Sequence, residues 1–132
     1  MKWNCDPQEC KITGVDLVLR TCDCLPSFKT YKVPADTVIK YGAPLKAGAN
    51  AGEAVPADAG DAAALIGFAY GAANTNAAPA GNPDCDEICV LMRDALIKSA
   101  GIAWPDGATP VEAQAFIDQA DTALRIVTRQ TI

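Results

Sequence analysis

The sequence predicts a mainly β protein of the α+β kind: a core of short strands, a carboxy-terminal helix followed by a short strand, and an amino-terminal arm. Three observations carry that prediction. Runs rich in β-branched and aromatic residues are short and stop at glycine or proline, as in Thr37-Val38-Ile39-Lys40-Tyr41-Gly42. One stretch, 109–124, combines a helix start signal with apolar residues at helical spacing. The chain has 132 residues, 50% of them apolar, which allows one small core. Much of that apolar share is alanine and aromatics make up only 6%, so burial per residue is low. Extra tethers or self-association are expected to add stability.

Residues 1–33 differ from the rest. They hold four of the six cysteines and five of the eleven basic residues, and are expected to form a cysteine-containing arm ahead of a β-rich core at 34–132. Within the arm, Gly14 to Arg20 fits a strand with Val15, Leu17 and Leu19 on one face. Such a strand can add to a partner, with backbone hydrogen bonds for affinity and the apolar face for register, or pair with the chain's own sheet.

The core begins with the strand at 37–41, broken by Gly42 and Pro44. Pro44-Leu45-Lys46 then leads to a reversal for which Gly48, Asn50 and Gly52 supply permissive backbone. After the polar Asp58-Ala59-Gly60-Asp61 comes an apolar run, 62–70, with Gly67 where another backbone can approach closely. The Ala, Asn, Thr, Pro and Gly of 72–82 read as an exposed loop. From Cys85 to Arg93, Ile88, Val90 and Met92 alternate with Cys89, Leu91 and Arg93, so a strand is expected, followed by another at 95–98. A helix over 86–98 also fits the spacing by four; the short neighbouring elements favour strands. Trp104-Pro105-Asp106-Gly107 is a turn. Thr109 is then placed as N-cap, Pro110 at the first helical position and Glu112 as the partner in a capping box. Ala113, Phe116, Ile117, Ala120 and Leu124 define one apolar face, and 125–129 is a terminal strand.

A net charge of −5 repels phosphate backbones, so nucleic acid is not an expected partner. No apolar run approaches the ~18 residues of a membrane span. No signal-type apolar segment follows Met1, and synthesis in a cytosol is expected. A thiol or hydroxyl nucleophile wants a neighbouring base, and the chain contains no histidine. The acidic group Asp84, Asp86, Glu87 and Asp94 lacks the ligand pattern of a calcium loop and reads as a solvated edge. No catalytic residue, cofactor or metal is therefore expected. The six cysteines, Cys5, Cys10, Cys22, Cys24, Cys85 and Cys89, are weighed as zinc ligands, disulfides or reduced thiols. None of the pairs has zinc spacing, the count is even and a thin core gains from staples, so disulfides lead. Local pairing of Cys5 with Cys10, and a link from Cys22 or Cys24 to the Cys85/Cys89 pair, are preferred. Trp104 and Pro105 are candidates for a subunit contact, since aromatic anchors favour interfaces. Equally, Trp104 can plug the base of the helix.

The strand entering a glycine turn at 37–45, Ala64-Leu65-Ile66-Gly67 after a polar link, Trp104-Pro105-Asp106-Gly107-Ala108-Thr109 and the ending Ala123-Leu124-Arg125-Ile126-Val127 resemble the lambda-type bacteriophage head decoration (capsid-stabilising) proteins. The likeness covers roughly 34–132. It implies a β-clip-like core of short twisted strands with one or two helices. It further implies a homotrimer on the outer surface of a tailed-phage head, made in the host cytoplasm, its amino-terminal arm docked on the major capsid protein. That arm would carry Val15, Leu17 and Leu19. The family's arms tend to be polar and free of cysteine, and here the chain departs from the pattern. Rival expectations from other classes are a β-clip ligand- or carbohydrate-binding module and a small cysteine-anchored metal-binding domain.

Overall fold

A computed structural model describes residues 18–21, 27–75 and 86–129. It is mainly β, with one α-helix near the carboxy terminus. The strands are β1 (Val18–Thr21), β2 (Ser27–Lys32), β3 (Val38–Ile39), β4 (Pro44–Ala47), β5 (Ala54–Pro56), β6 (Leu65–Ala69), β7 (Ala73–Asn74), β8 (Glu87–Arg93), β9 (Ala95–Lys98) and β10 (Ile126–Arg129). The helix is α1 (Pro110–Gln119).

Strands β2, β8, β6, β4 and β5 form an antiparallel sheet in that order. Its two outer strands meet again: Lys32 bridges Glu53, and the Lys32 N–H donates to the Gly52 carbonyl at 2.8 Å. The sheet is therefore strongly curled, and its edges partly satisfy one another. The seven residues of β8 lie between β2 and β6, and both faces are covered, with Ile88, Cys89, Val90 and Leu91 all 0% exposed. Their alternation sends Ile88, Val90 and Met92 into one core cluster and Leu91 into the other. The first cluster joins residues of β4, β5, β6 and β8 to Ile39 and Ala73 of the small β3–β7 pair. The second lies where the sheet meets the carboxy-terminal elements, uniting Phe68 and Leu91 with Ile97, Phe116, Ala120 and Ile126.

Gly67 explains how β6 and β8 come so close. A Cβ there would collide with the Leu91 carbonyl oxygen, so only glycine fits. Gly42, at φ 84°, plays the same part for the Ser99–Gly101 turn: a Cβ would strike the Gly101 carbonyl, and the Ala103 N–H donates to the Gly42 oxygen at 3.1 Å.

The helix begins as its local signals dictate. The Thr109 hydroxyl accepts from the Glu112 N–H at 3.2 Å, the Glu112 carboxylate accepts from the Thr109 N–H at 3.0 Å, and Pro110 opens the first turn. Phe116 and Ala120 are fully buried on the inner face. A π-turn, Ala120–Leu124, ends the helix, and Arg125 reverses the chain with φ 54°. Opposite it, Asp94 turns the chain between β8 and β9 with φ 59°, and the two side chains form an ion pair at 2.6 Å. The Asp94 N–H also donates to the Leu124 carbonyl at 3.2 Å. This clasp holds two corners together and offsets part of the roughly 1–2 kcal/mol that a left-handed conformation costs each residue.

Of the two arrangements left open for the strand ahead of the core, the described part shows pairing with the chain's own sheets: β2 pairs with β8 along six residues and β1 pairs antiparallel with β9. Composition marked a boundary at 33 that strand pairing does not respect. The strand expected at 37–41 shortens to Val38–Ile39, while Pro44–Ala47, expected as a lead-in, is the longer strand. Pro44 is compatible with that strand because it occupies the first position. The expected loop at 72–82 starts with β7, paired to β3; residues 76–82 lie outside the described part. Finally, β10 runs parallel to β9, with α1 as the crossover between them.

Candidate functional site

The segment after β9 brings Trp104, Pro105 and Asp106 over the start of β4 and beside β3. Between them lies an open groove of about 140 Å³, walled by Val38, Pro44, Pro56, Trp104 and Pro105, with Lys40 and Asp106 supplying one charge of each sign. Val38 is 46% exposed at its rim. The groove is smaller than the ~300–1,000 Å³ of sites that enclose small-molecule ligands. It is suited to one or two apolar side chains.

Each wall is held by local chemistry. Trp104 packs its ring against Phe116, with centroids 6.2 Å apart at 44°, while remaining partly exposed. Trp104 thus touches Phe116 of α1 and also lines the groove. Pro105 begins the turn into α1, closed by the Ala108 N–H donating to its carbonyl at 3.1 Å. On the other side, Thr75 fixes β3: its hydroxyl oxygen accepts from the Thr37 N–H at 2.8 Å and donates to the Pro34 carbonyl at 2.9 Å.

The floor depends on an ionic clip. Lys46 of β4 contacts Asp61 at 2.6 Å and Asp58 at 3.6 Å, across the turn that follows Pro56 and Ala57. The Asp61 carboxylate also accepts from the Asp58 N–H at 2.9 Å, and the Ala57 N–H donates to the Pro44 carbonyl at 3.0 Å. The hydrogen bond to Asp61 raises the Lys46 pKa above 10.5. In return, the Lys46 hydrogen bond and then the Asp58 N–H hold Asp61 below its ordinary 3.8.

The remaining candidates are spread apart. Val15 and Leu17 lie outside the described residues; the backbone at Leu19 belongs to β1, at the register irregularity between Val18 and Arg20. One edge of that strand is engaged by the protein's own β9. Cys89 is buried in β8 and disulfide-bonded. Cys5, Cys10, Cys22, Cys24 and Cys85 lie outside the described residues. Asp84 lies outside the described residues; of the other acidic residues, Asp86 precedes β8, Glu87 opens it and Asp94 follows its far end, so these three do not converge. Asp86 stands 3.9 Å from Lys32, whereas Asp94 serves the clasp with Arg125. Among the described residues there is no group of three or more His, Cys, Asp or Glu placed to hold a metal, and no helix long and apolar enough to cross a membrane.

Sequence reasoning found Trp104 and Pro105 but missed Val38 and Lys40, which face them across the groove. Val38 carried a weak signal, being a β-branched residue in a strand too short to bury both faces. Set against known proteins, the sequence matches no family model and no curated protein.

Proposed function

We propose that the protein is a non-enzymatic cement: a trimer that seats on the outer surface of a tailed-phage head, contacts the major capsid protein and stabilises the mature shell. The observation that carries this reading is the groove at Trp104 and Pro105. Its volume suits a neighbour's side chain, and its rim leaves Val38 uncovered in the single chain. The resemblance at 104–109 and 123–127 to the lambda-type decoration proteins supports the same reading, because those segments build one wall of the groove and the βαβ unit behind it.

The mechanism is linkage. A protein that binds only the assembled shell stabilises that state by mass action, as a ligand stabilises a fold. Three linked copies multiply weak contacts into a durable clamp. Val15, Leu17 and Leu19 are assigned to the capsid contact, and Trp104 with Pro105 to the contact between subunits.

The test is sedimentation of the purified protein, followed by heating of matching mature heads with and without it. The expected results are a trimer and a higher bursting temperature. A stable monomer that leaves the heads unchanged overturns the reading, as does tight binding of a glycan or stoichiometric zinc.

A further inference from the structure

We propose that the face of β9 and β10 turned away from the core docks an acidic, partly apolar segment of another protein. Helix α1 crosses between these two parallel strands and covers one side of them: Phe116 and Ala120 share a core cluster with Ala95, Ile97 and Ile126. Alternation turns Leu96, Lys98, Val127 and Arg129 to the opposite side. A parallel pair with a crossover helix on one side is ordinarily covered on the other as well. Here the second face is open, with Val127 44% exposed, Arg129 exposed, and Leu96 and Lys98 half-buried.

This open face has an apolar row and a charged row. Register sets Val127 beside Leu96 and Arg129 beside Lys98. Neighbouring strands lie about 4.8 Å apart, and like charges placed side by side at that spacing destabilise a sheet. Nothing relieves their repulsion among the described residues, where the ion pairs involve Lys32, Lys46 and Arg125 and neither Lys98 nor Arg129 takes part. Two adjacent cations without a counter-charge, in a chain of net charge −5, suit an incoming carboxylate.

The same charge argues against a second copy as the occupant. Two copies seated face to face about a twofold axis would bring four cations together. Charge complementarity selects a partner that offers Asp or Glu, and the row formed by Leu96 and Val127 selects an aliphatic residue beside it. The two rows are two residues apart along each strand, about 6.6 Å, which is also the separation of residues i and i+2 in an extended peptide. The fitting segment is therefore extended, with an aliphatic residue and an acidic one two positions away. The surface shares no residue with the groove at Trp104, and the proposal holds whether or not the protein is a cement.

The experiment uses the full chain and a fluorescent peptide that repeats Leu-Ser-Glu-Ser three times, followed by anisotropy at low ionic strength. Saturable binding is expected, and it should fail when lysine replaces glutamate in the peptide. The double variant Lys98→Gln, Arg129→Gln should bind at least about tenfold more weakly, and Val127→Ser roughly fivefold. The double variant should melt no lower than the parent, because it removes a repulsion. Absence of saturable binding, equal binding by the parent and the double variant, or preference for the sulfated polysaccharide heparin over the peptide overturns the proposal. A double variant that melts well below the parent overturns it too, since the two cations would then be serving the fold.

Discussion

At Gly67 the atom that an added methyl group would strike is a backbone carbonyl, that of Leu91, with a Val90 methyl beside it. A flexible side chain could swing away, but the backbone of β8, paired on both edges, cannot. Gly67→Ala should therefore destabilise the fold by about 2–3 kcal/mol through overpacking, read as a lower denaturant midpoint with unchanged slope. Residue-scale electrostatics makes a second prediction at Lys46 and Asp61. Because the folded Asp61 carboxyl titrates below 3.8, its contribution is present above that pH and is lost as pH falls through the folded value. Lys46 is raised above 10.5, so its contribution is complete below that pH and is lost as pH rises through the folded value. Across the neutral range the pair is constantly stabilising. Lys46→Met should lower Tm by a fixed amount between about pH 5 and 9. The gap to the parent protein should close toward strong acid and toward strong alkali.

At the scale of the element, what was legible in the sequence is what neighbouring residues settle between themselves. Thr109, Pro110 and Glu112 announce the helix because a capping box needs only four consecutive residues, and the structure forms both of its hydrogen bonds. Thr109→Ala should remove about 1 kcal/mol of stability, with Thr109→Ser restoring most of it; chemical denaturation of the three proteins checks this. The alternation from Ile88 to Arg93 was legible for the same reason, although with a limit. Alternation fitted a strand and the short neighbouring elements favoured it over a helix, but neither told that both faces would be buried, which depends on partners far away in sequence. β3 was legible within the strand expected at 37–41, but its partner β7 was hidden, because a two-residue strand carries no period and this one begins inside a stretch whose composition is that of a loop.

The whole molecule is built by pairings that no local window contains. Lys32 meets Glu53 to curl the large sheet, and β1 reaches β9 across more than half the chain. Composition separated 1–33 from the rest because cysteines and basic residues gather there, yet the strands within it complete both main sheets. The candidate site shows the same division. Trp104 and Pro105 stood out as residue types, while the opposite wall at Val38 and Lys40 is brought there by tertiary structure. That wall gives the sharpest test of assembly. Trp104 is a poor choice for it, because the indole also supports Phe116 and its removal would loosen the core. Val38 is 46% exposed and lies at the groove's rim, so a charge there leaves the single chain nearly as stable, within about 1 kcal/mol. A neighbour seated in the groove would instead have to bury that carboxylate. Val38→Glu should therefore shift the sedimenting species from trimer to monomer while keeping the parent's circular dichroism. Val111→Glu, at a site 79% exposed and away from the groove, should remain trimeric. If both variants stay trimeric, the subunits meet elsewhere and the assignment of Trp104 and Pro105 fails. If only Val111→Glu dissociates, the contact lies on the first turn of the helix.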